Sequence, residues 1–134
     1  MNKGFSFIII DDSELDRFVT QKFLERTHTS RAIKAFHNAQ HALDVIGKNP
    51  HVSELPTIIL LDLQMPHMNG FDFVEEFEKL PPEVKKNYRI AVLTILSSSN
   101  DPTDVDRIQN YEAVHRLIEK PLNKEKLLSL LNQV

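Results

Sequence analysis

Three acids and a lysine stand where apolar runs end. Asp11 and Asp12 close Phe7-Ile8-Ile9-Ile10, Asp62 closes Ile58-Ile59-Leu60-Leu61, and Lys120 closes a run just before Pro121. The segment after Asp62, Leu63-Gln64-Met65-Pro66-His67-Met68-Asn69-Gly70, is rich in turn formers. A buried strand ending in a carboxylate and followed by such a turn sets the acid at the lip of a sheet. Carboxylates crowded at one place repel, so at least one should have a raised pKa in the absence of a cation. Mg²⁺ suits such a set, because it takes hard oxygen ligands and typically uses one or two carboxylates plus phosphate oxygens. With that charge neutralised, Asp62 can stay ionised and act as a nucleophile toward phosphorus. Phosphoryl transfer needs mainly positioning and charge neutralisation. Mg²⁺ would neutralise one phosphoryl oxygen and the Lys120 ammonium would pair with another. Ser97, which follows the run Val92 to Leu96, is the candidate hydroxyl for the third.

Taken singly, each signal has an ordinary structural reading. Acids are common at helix N-termini, a lone aspartate after a strand often caps a turn, and Lys-Pro is an unremarkable pair. The chemical reading rests on their joint placement at strand ends.

The elements that must position them alternate. Phe5 to Ile10 is apolar except for Ser6, which fits a strand covered on both faces. Ser13 opens a helix with Asp16 three residues on, and Leu15, Val19, Phe23 and Leu24 are its expected inward face. Ala32 to Phe36 reads as a second strand. Asn38 caps a helix carrying Ala39, Ala42, Leu43 and Ile46, with Gly47 as its stop. Pro56 begins a third strand. Phe71, Phe73, Val74 and Phe77 mark a helix stopped by Pro81-Pro82, and Pro81 to Tyr88 reads as a small polar insertion. Ile90 to Leu96 is a fourth strand. Asp101-Pro102 is an N-cap with proline at the first helical position, and Val105 and Ile108 face inward. Val114 to Ile118 is the fifth strand, and Asn123 caps a last helix with Leu127, Leu128, Leu130 and Leu131.

Five such units predict an α/β fold, a doubly wound five-stranded parallel sheet of the flavodoxin-like order 2-1-3-4-5, with helices on both faces. In that order the ligand crevice lies where strand order reverses, between the carboxyl ends of strands 1 and 3. Those are the strands that end in Asp11, Asp12 and Asp62.

Composition agrees with a modest globular domain. The 134 residues are 41% hydrophobic and 26% charged, and are expected to form a single domain, 1–134. A net charge of −3 and a pI near 6.0 argue against nucleic acid as a direct partner. Without cysteine there is neither a disulfide framework nor thiolate chemistry. No apolar stretch approaches a membrane span and no signal-peptide pattern opens the chain, so a cytoplasmic location is expected.

The combination of Ile8-Ile9-Ile10-Asp11-Asp12, Leu60-Leu61-Asp62-Leu63-Gln64-Met65-Pro66 with Met68-Asn69-Gly70, Ser97-Ser98-Ser99 and Lys120-Pro121 resembles the receiver domains of two-component response regulators, single-domain chemotaxis regulators included. The resemblance runs from about Gly4 to Leu131. It implies that Asp62 is the residue phosphorylated by a histidine kinase or phosphotransfer protein. It further implies that Asp11, Asp12, Asp62 and the Gln64 backbone carbonyl hold Mg²⁺. Lys120 would bind the phosphoryl group, with a cis bond to Pro121. Ser97 would follow the phosphoryl group on activation, and Ser99 would help set the hydrolysis rate.

Two positions depart from the pattern. Leu93-Thr94 could supply the family's hydroxyl instead, although the spacing to Lys120 favours Ser97. Leu117 stands three residues before the lysine, where the family often has an aromatic ring that rotates on activation. Any signal would then travel through the fourth strand, the helix after it and their loops, changing a surface read by a downstream effector protein. The chain ends three residues past the last apolar position of its final helix, so that effector is expected to be a separate protein unless the chain is a piece of a longer regulator.

Two other classes are possible. A phosphatase forming an aspartyl phosphate would commonly carry a second acid two residues past its nucleophile, and Gln64 cannot serve as one. A receiver-like module used only for binding would not need Asp11, Asp12, Asp62 and Lys120 together. His37 and His41 read as two solvated histidines and not as metal ligands.

Overall fold

The computed structural model describes residues 4–48, 55–63, 70–94 and 102–134, the side chains of 102–105 excepted. Strands β1 (Phe5–Ile10), β2 (Ser30–Phe36), β3 (Thr57–Asp62), β4 (Tyr88–Thr94) and β5 (Val114–Glu119) build one sheet. The helices are α1 (Glu14–Thr27), α2 (Ala39–Lys48), α3 (Gly70–Glu78), α4 (Pro82–Lys85), α5 (Pro102–Gln109) and α6 (Lys124–Leu131). Strand order is β2-β1-β3-β4-β5 and every neighbouring pair is parallel, the doubly wound arrangement expected from the alternation.

Side chains of a strand alternate between faces, and here both faces are covered. Phe7, Ile9, Ile58, Leu60, Ala91, Leu93 and Ile118 pack on one side with Leu24 of α1 and Leu127 and Leu130 of α6. Ile8, Ile10, Ile59, Leu61, Ile90 and Val92 pack on the other, with Ile46 of α2, Phe73 and Phe77 of α3 and Ile108 of α5. This is why the central strands read as unbroken apolar runs. Ile58 to Leu61 are each at most 1% exposed, and burying each such side chain stabilises the fold by roughly 1.5–3 kcal/mol.

Local caps form where the sequence places them. The Ser13 hydroxyl accepts from the Asp16 N–H at 3.2 Å, and the side chains of Asn38 and Asn123 accept from the N–H groups of His41 and Lys126. Elsewhere the structure departs from expectation. Strand β2 begins two residues before Ala32, and α2 runs through Gly47 to Lys48 with no left-handed glycine to stop it. Pro81-Pro82 follows α3 and opens a four-residue helix, because proline suits the first turn, where the missing N–H has no partner to lose. The largest departure is in α1. Leu24 is buried, but Leu15, Phe18 and Val19 are 69%, 59% and 56% exposed.

Gly70 joins the end of β3 to α3. Its N–H donates to the Leu63 carbonyl at 2.8 Å, and a Cβ there would meet Leu63 Cα and Cδ1 at 3.0 Å. Gly70→Ala should therefore destabilise the fold by about 1–3 kcal/mol through overpacking, read as a lower midpoint in urea unfolding. An unchanged midpoint would mean that the backbone after Asp62 yields freely.

Candidate functional site

Backbone hydrogen bonds pin each site residue at the carboxyl edge of the sheet. The Asp11 N–H donates to the Phe36 carbonyl at 3.1 Å, holding it just past β1. Asp62, last residue of β3, stands in register with Leu93, and the next N–H, of Leu63, donates to the Leu93 carbonyl at 3.2 Å. The Lys120 N–H donates to the Thr94 carbonyl at 2.8 Å. Two strand spacings, roughly 9.6 Å, separate β5 from β3, and the lysine stem crosses β4 to close that gap.

The Lys120 ammonium donates to Asp62 Oδ1 at 3.2 Å and lies 3.8 Å from Asp11 Oδ2 and 4.0 Å from Asp16 Oδ2. Asp62 and Lys120 keep only 13% and 23% of their side-chain surface in solvent. Carboxylate oxygens of Asp11, Asp12 and Asp62 all lie within 4.8 Å of one another. Asp11 is buried and Asp12 exposed. The Asp11 carboxylate accepts the Ser13 N–H at 3.0 Å, and its carbonyl accepts Arg17 Nη1 at 2.8 Å. Burial pushes the Asp11 carboxyl above the usual aspartate range, and the charges of Asp62 and Asp16 add to that rise. The Ser13 N–H and Lys120 oppose it. One acid of the crowded set is thus raised, by burial first and by its acidic neighbours second. The donor chemistry fits a small divalent cation: the set is all oxygen, anionic, and short of positive charge.

Asp11, Asp12, Asp62 and Lys120 are therefore brought together from three strand ends, and the Lys120–Pro121 bond is cis. Gln64, Ser97 and Ser99 lie outside the described residues. Thr94 lies within them: it ends β4 at 3% exposure, one residue past the partner of Asp62. Leu117 is half-buried against the core on the α2–α3 side. His37 and His41 are both exposed, and the His41 ring meets Phe36 edge-on at 5.1 Å.

Sequence reasoning missed two features. One is Asp16, counted there only as a helix-start residue. The other is the apolar patch Leu15-Phe18-Val19, whose i, i+3, i+4 spacing puts the three on one helix face. Val19 and Phe23 continue into a small cleft of about 160 Å³ shared with Asp11, Asp16, Lys120 and Pro121. The spacing of Phe18 from Leu15 was the available signal, since it completes a second apolar stripe.

Comparison with known proteins decides the family. A family model for the response regulator receiver domain matches residues 7–132. This chain belongs to the response regulator receiver domain family. The receiver is 29% identical over 133 residues to the autoinducer 1 sensor kinase/phosphatase LuxN of Vibrio harveyi, covering 99% of this chain but 13% of LuxN. Among solved structures, it resembles a response regulator receiver protein from Dyadobacter fermentans, with 34% identity, a TM-score of 0.82 and 96% of both chains covered. A two-component response regulator from Cytophaga hutchinsonii is 26% identical at a TM-score of 0.80, covering 95% of this chain and 93% of that one. The receiver is a domain of two-component signalling, from a family of signalling modules and not of classical enzymes. Among the described residues no helix is long and apolar enough to cross a membrane.

Proposed function

We propose that this receiver accepts a phosphoryl group on Asp62 from a histidine kinase or phosphotransfer protein and thereby switches a surface read by a downstream effector. The observation that carries the reading is the pairing of Asp62 with Lys120 at 3.2 Å inside the cluster of Asp11, Asp12 and Asp62. Mg²⁺, held by Asp11, Asp12, Asp62 and the Gln64 carbonyl, would supply the positive charge that three neighbouring acids require. An Asp62 oxygen attacks phosphorus as the bond to the donor breaks. Lys120 then turns from the carboxylate to a phosphoryl oxygen, and the acyl phosphate is later lost to water. In this way the receiver promotes its own phosphorylation and dephosphorylation, as a cytoplasmic partner in a relay.

The exposed patch Leu15-Phe18-Val19 supports the presence of a protein donor. It borders the cleft beside Lys120, and apolar side chains clustered at a surface mark interaction sites. The effector surface is proposed to comprise α5, β5 and α6. The added charge and acceptor oxygens would bias it between two states.

Intact mass after incubation with Mg²⁺ and acetyl phosphate tests the reading. An adduct that needs Mg²⁺ supports it. With no adduct from this donor or from a panel of phosphohistidine proteins, a binding-only module becomes the better reading. The same assay separates the two candidate hydroxyls. Spacing to Lys120 favours Ser97, and Thr94 stands in β4 one residue past Leu93, the partner of Asp62. We propose Ser97. Ser97→Ala should change the lifetime of the adduct by about tenfold, as expected for loss of one hydrogen bond of roughly 1.5 kcal/mol to a charged group. Thr94→Ala should leave it near wild type. The reverse pattern would move the role to Thr94.

A further inference from the structure

Asp16 stands outside the acid set that can hold a cation, yet its carboxylate lies 4.0 Å from the Lys120 ammonium. Among the described residues Lys120 is the only cation within 4.0 Å of these carboxylates, since Arg17 binds the Asp11 backbone carbonyl instead, and Asp11, Asp16 and Asp62 compete for it. A divalent metal and Lys120 together balance Asp11, Asp12 and Asp62, which leaves Asp16 as the excess negative charge. Asp16 sits in the first turn of α1 with 53% of its side chain in solvent, at the mouth of the cleft that leads past Lys120.

We infer that Asp16 is a positioning residue that draws Lys120 toward α1 and screens the site electrostatically, selecting against small phosphodonors that carry two negative charges. The inference rests on the phosphoacceptor reading above. An arriving dianion meets the Asp16 carboxylate within a Debye length, which is about 8 Å at physiological ionic strength. It must also win Lys120 from that carboxylate. A donor of lower net charge feels less of both effects. The free small phosphodonors of a cell would then phosphorylate the receiver slowly. A protein donor, seated on the α1 patch beside Asp16, delivers its phosphoryl group already oriented.

Two donors of different charge test this with the whole protein and Mg²⁺. With acetyl phosphate, a dianion near neutral pH, an Asp62 oxygen bonds to phosphorus while the P–O bond breaks and acetate leaves with the electron pair. With phosphoramidate, a zwitterion of net charge −1, the P–N bond breaks and ammonia leaves. Asp16→Asn should raise the acetyl phosphate rate about two- to fivefold, the scale of an exposed ion pair. The phosphoramidate rate should change by a clearly smaller factor, and added salt should shrink the difference. Asp16→Glu should restore the wild-type ratio. Glu14→Gln is the control, since Glu14 also lies in the first turn of α1 but makes no ion pair with Lys120. Equal factors for both donors, no change in either rate, or the same effect from Glu14→Gln would overturn the inference while leaving the phosphoacceptor reading in place. No adduct from either donor or from the panel of phosphohistidine proteins would overturn that reading, and the inference with it.

Discussion

Asp62→Asn should give no phosphoryl adduct under conditions where the wild-type protein is modified, while its circular dichroism stays native. The amide keeps the volume and position of the carboxylate at the end of β3. It lacks the charge and the free oxygen nucleophile that an acyl phosphate requires. The loss should be complete, because among the acids of the site Asp62 is the one the Lys120 ammonium approaches most closely, at 3.2 Å. An adduct that persists in Asp62→Asn would place the nucleophile elsewhere, with Asp12 the first residue to examine.

The same variant carries a stability signature. Asp11 is raised chiefly by its burial, with the charge of Asp62 adding to the rise. A carboxyl whose folded pKa exceeds its unfolded value keeps its proton longer when folded. Without divalent metal it therefore lowers stability as pH rises through the interval above the ordinary aspartate value. Removing the Asp62 charge narrows that interval. Urea midpoints measured from about pH 4 to pH 7 should fall less in Asp62→Asn than in the wild type.

Phe73→Ala should cost about 3–5 kcal/mol, a large share of the roughly 5–15 kcal/mol typical of a domain. Phe73 is fully buried on α3, with its ring stacked on Phe77 at 6.2 Å. It belongs to the cluster that backs Ile10, Leu61 and Leu63, the residues flanking Asp11 and Asp62. The cavity left by truncation would loosen the shelf that holds both acids. Urea unfolding reads the loss directly, and a loss below about 1 kcal/mol would mean that α3 collapses to fill the space.

The strands and the site acids were legible because their signals are local. Ile58 to Leu61 is an unbroken apolar run because both faces of β3 are covered, and a polar residue can follow only where the cover ends. Asp62 is therefore visible as the point where the sheet meets solvent. Ser13 and Asn123 were readable as caps because a cap needs only its own side chain and an N–H three residues on.

Other features depend on distant partners. Gly47 reads as a stop by type, yet the helix continues past it to Lys48. In α1 the stripe holding Leu15 and Val19 and the position of Leu24 compete for the sheet. Periodicity ranks them alike, whereas the packing of β1, β3 and α6 accommodates Leu24 and leaves the other stripe in solvent. The level at which β4 meets Asp62 likewise depends on register: Leu93 is its partner, which counting back from Lys120 cannot show.

By itself the sequence determined the five strand-helix units, the doubly wound class and which acids and lysine stand at strand ends, all written in stretches of a few residues. Only the tertiary structure decided which face of α1 stays outside, that Asp16 joins the contacts of Lys120, and that this lysine spans β4 to reach Asp62. These depend on strand order and helix rotation, which are set by packing between residues as far apart as Asp62 and Lys120.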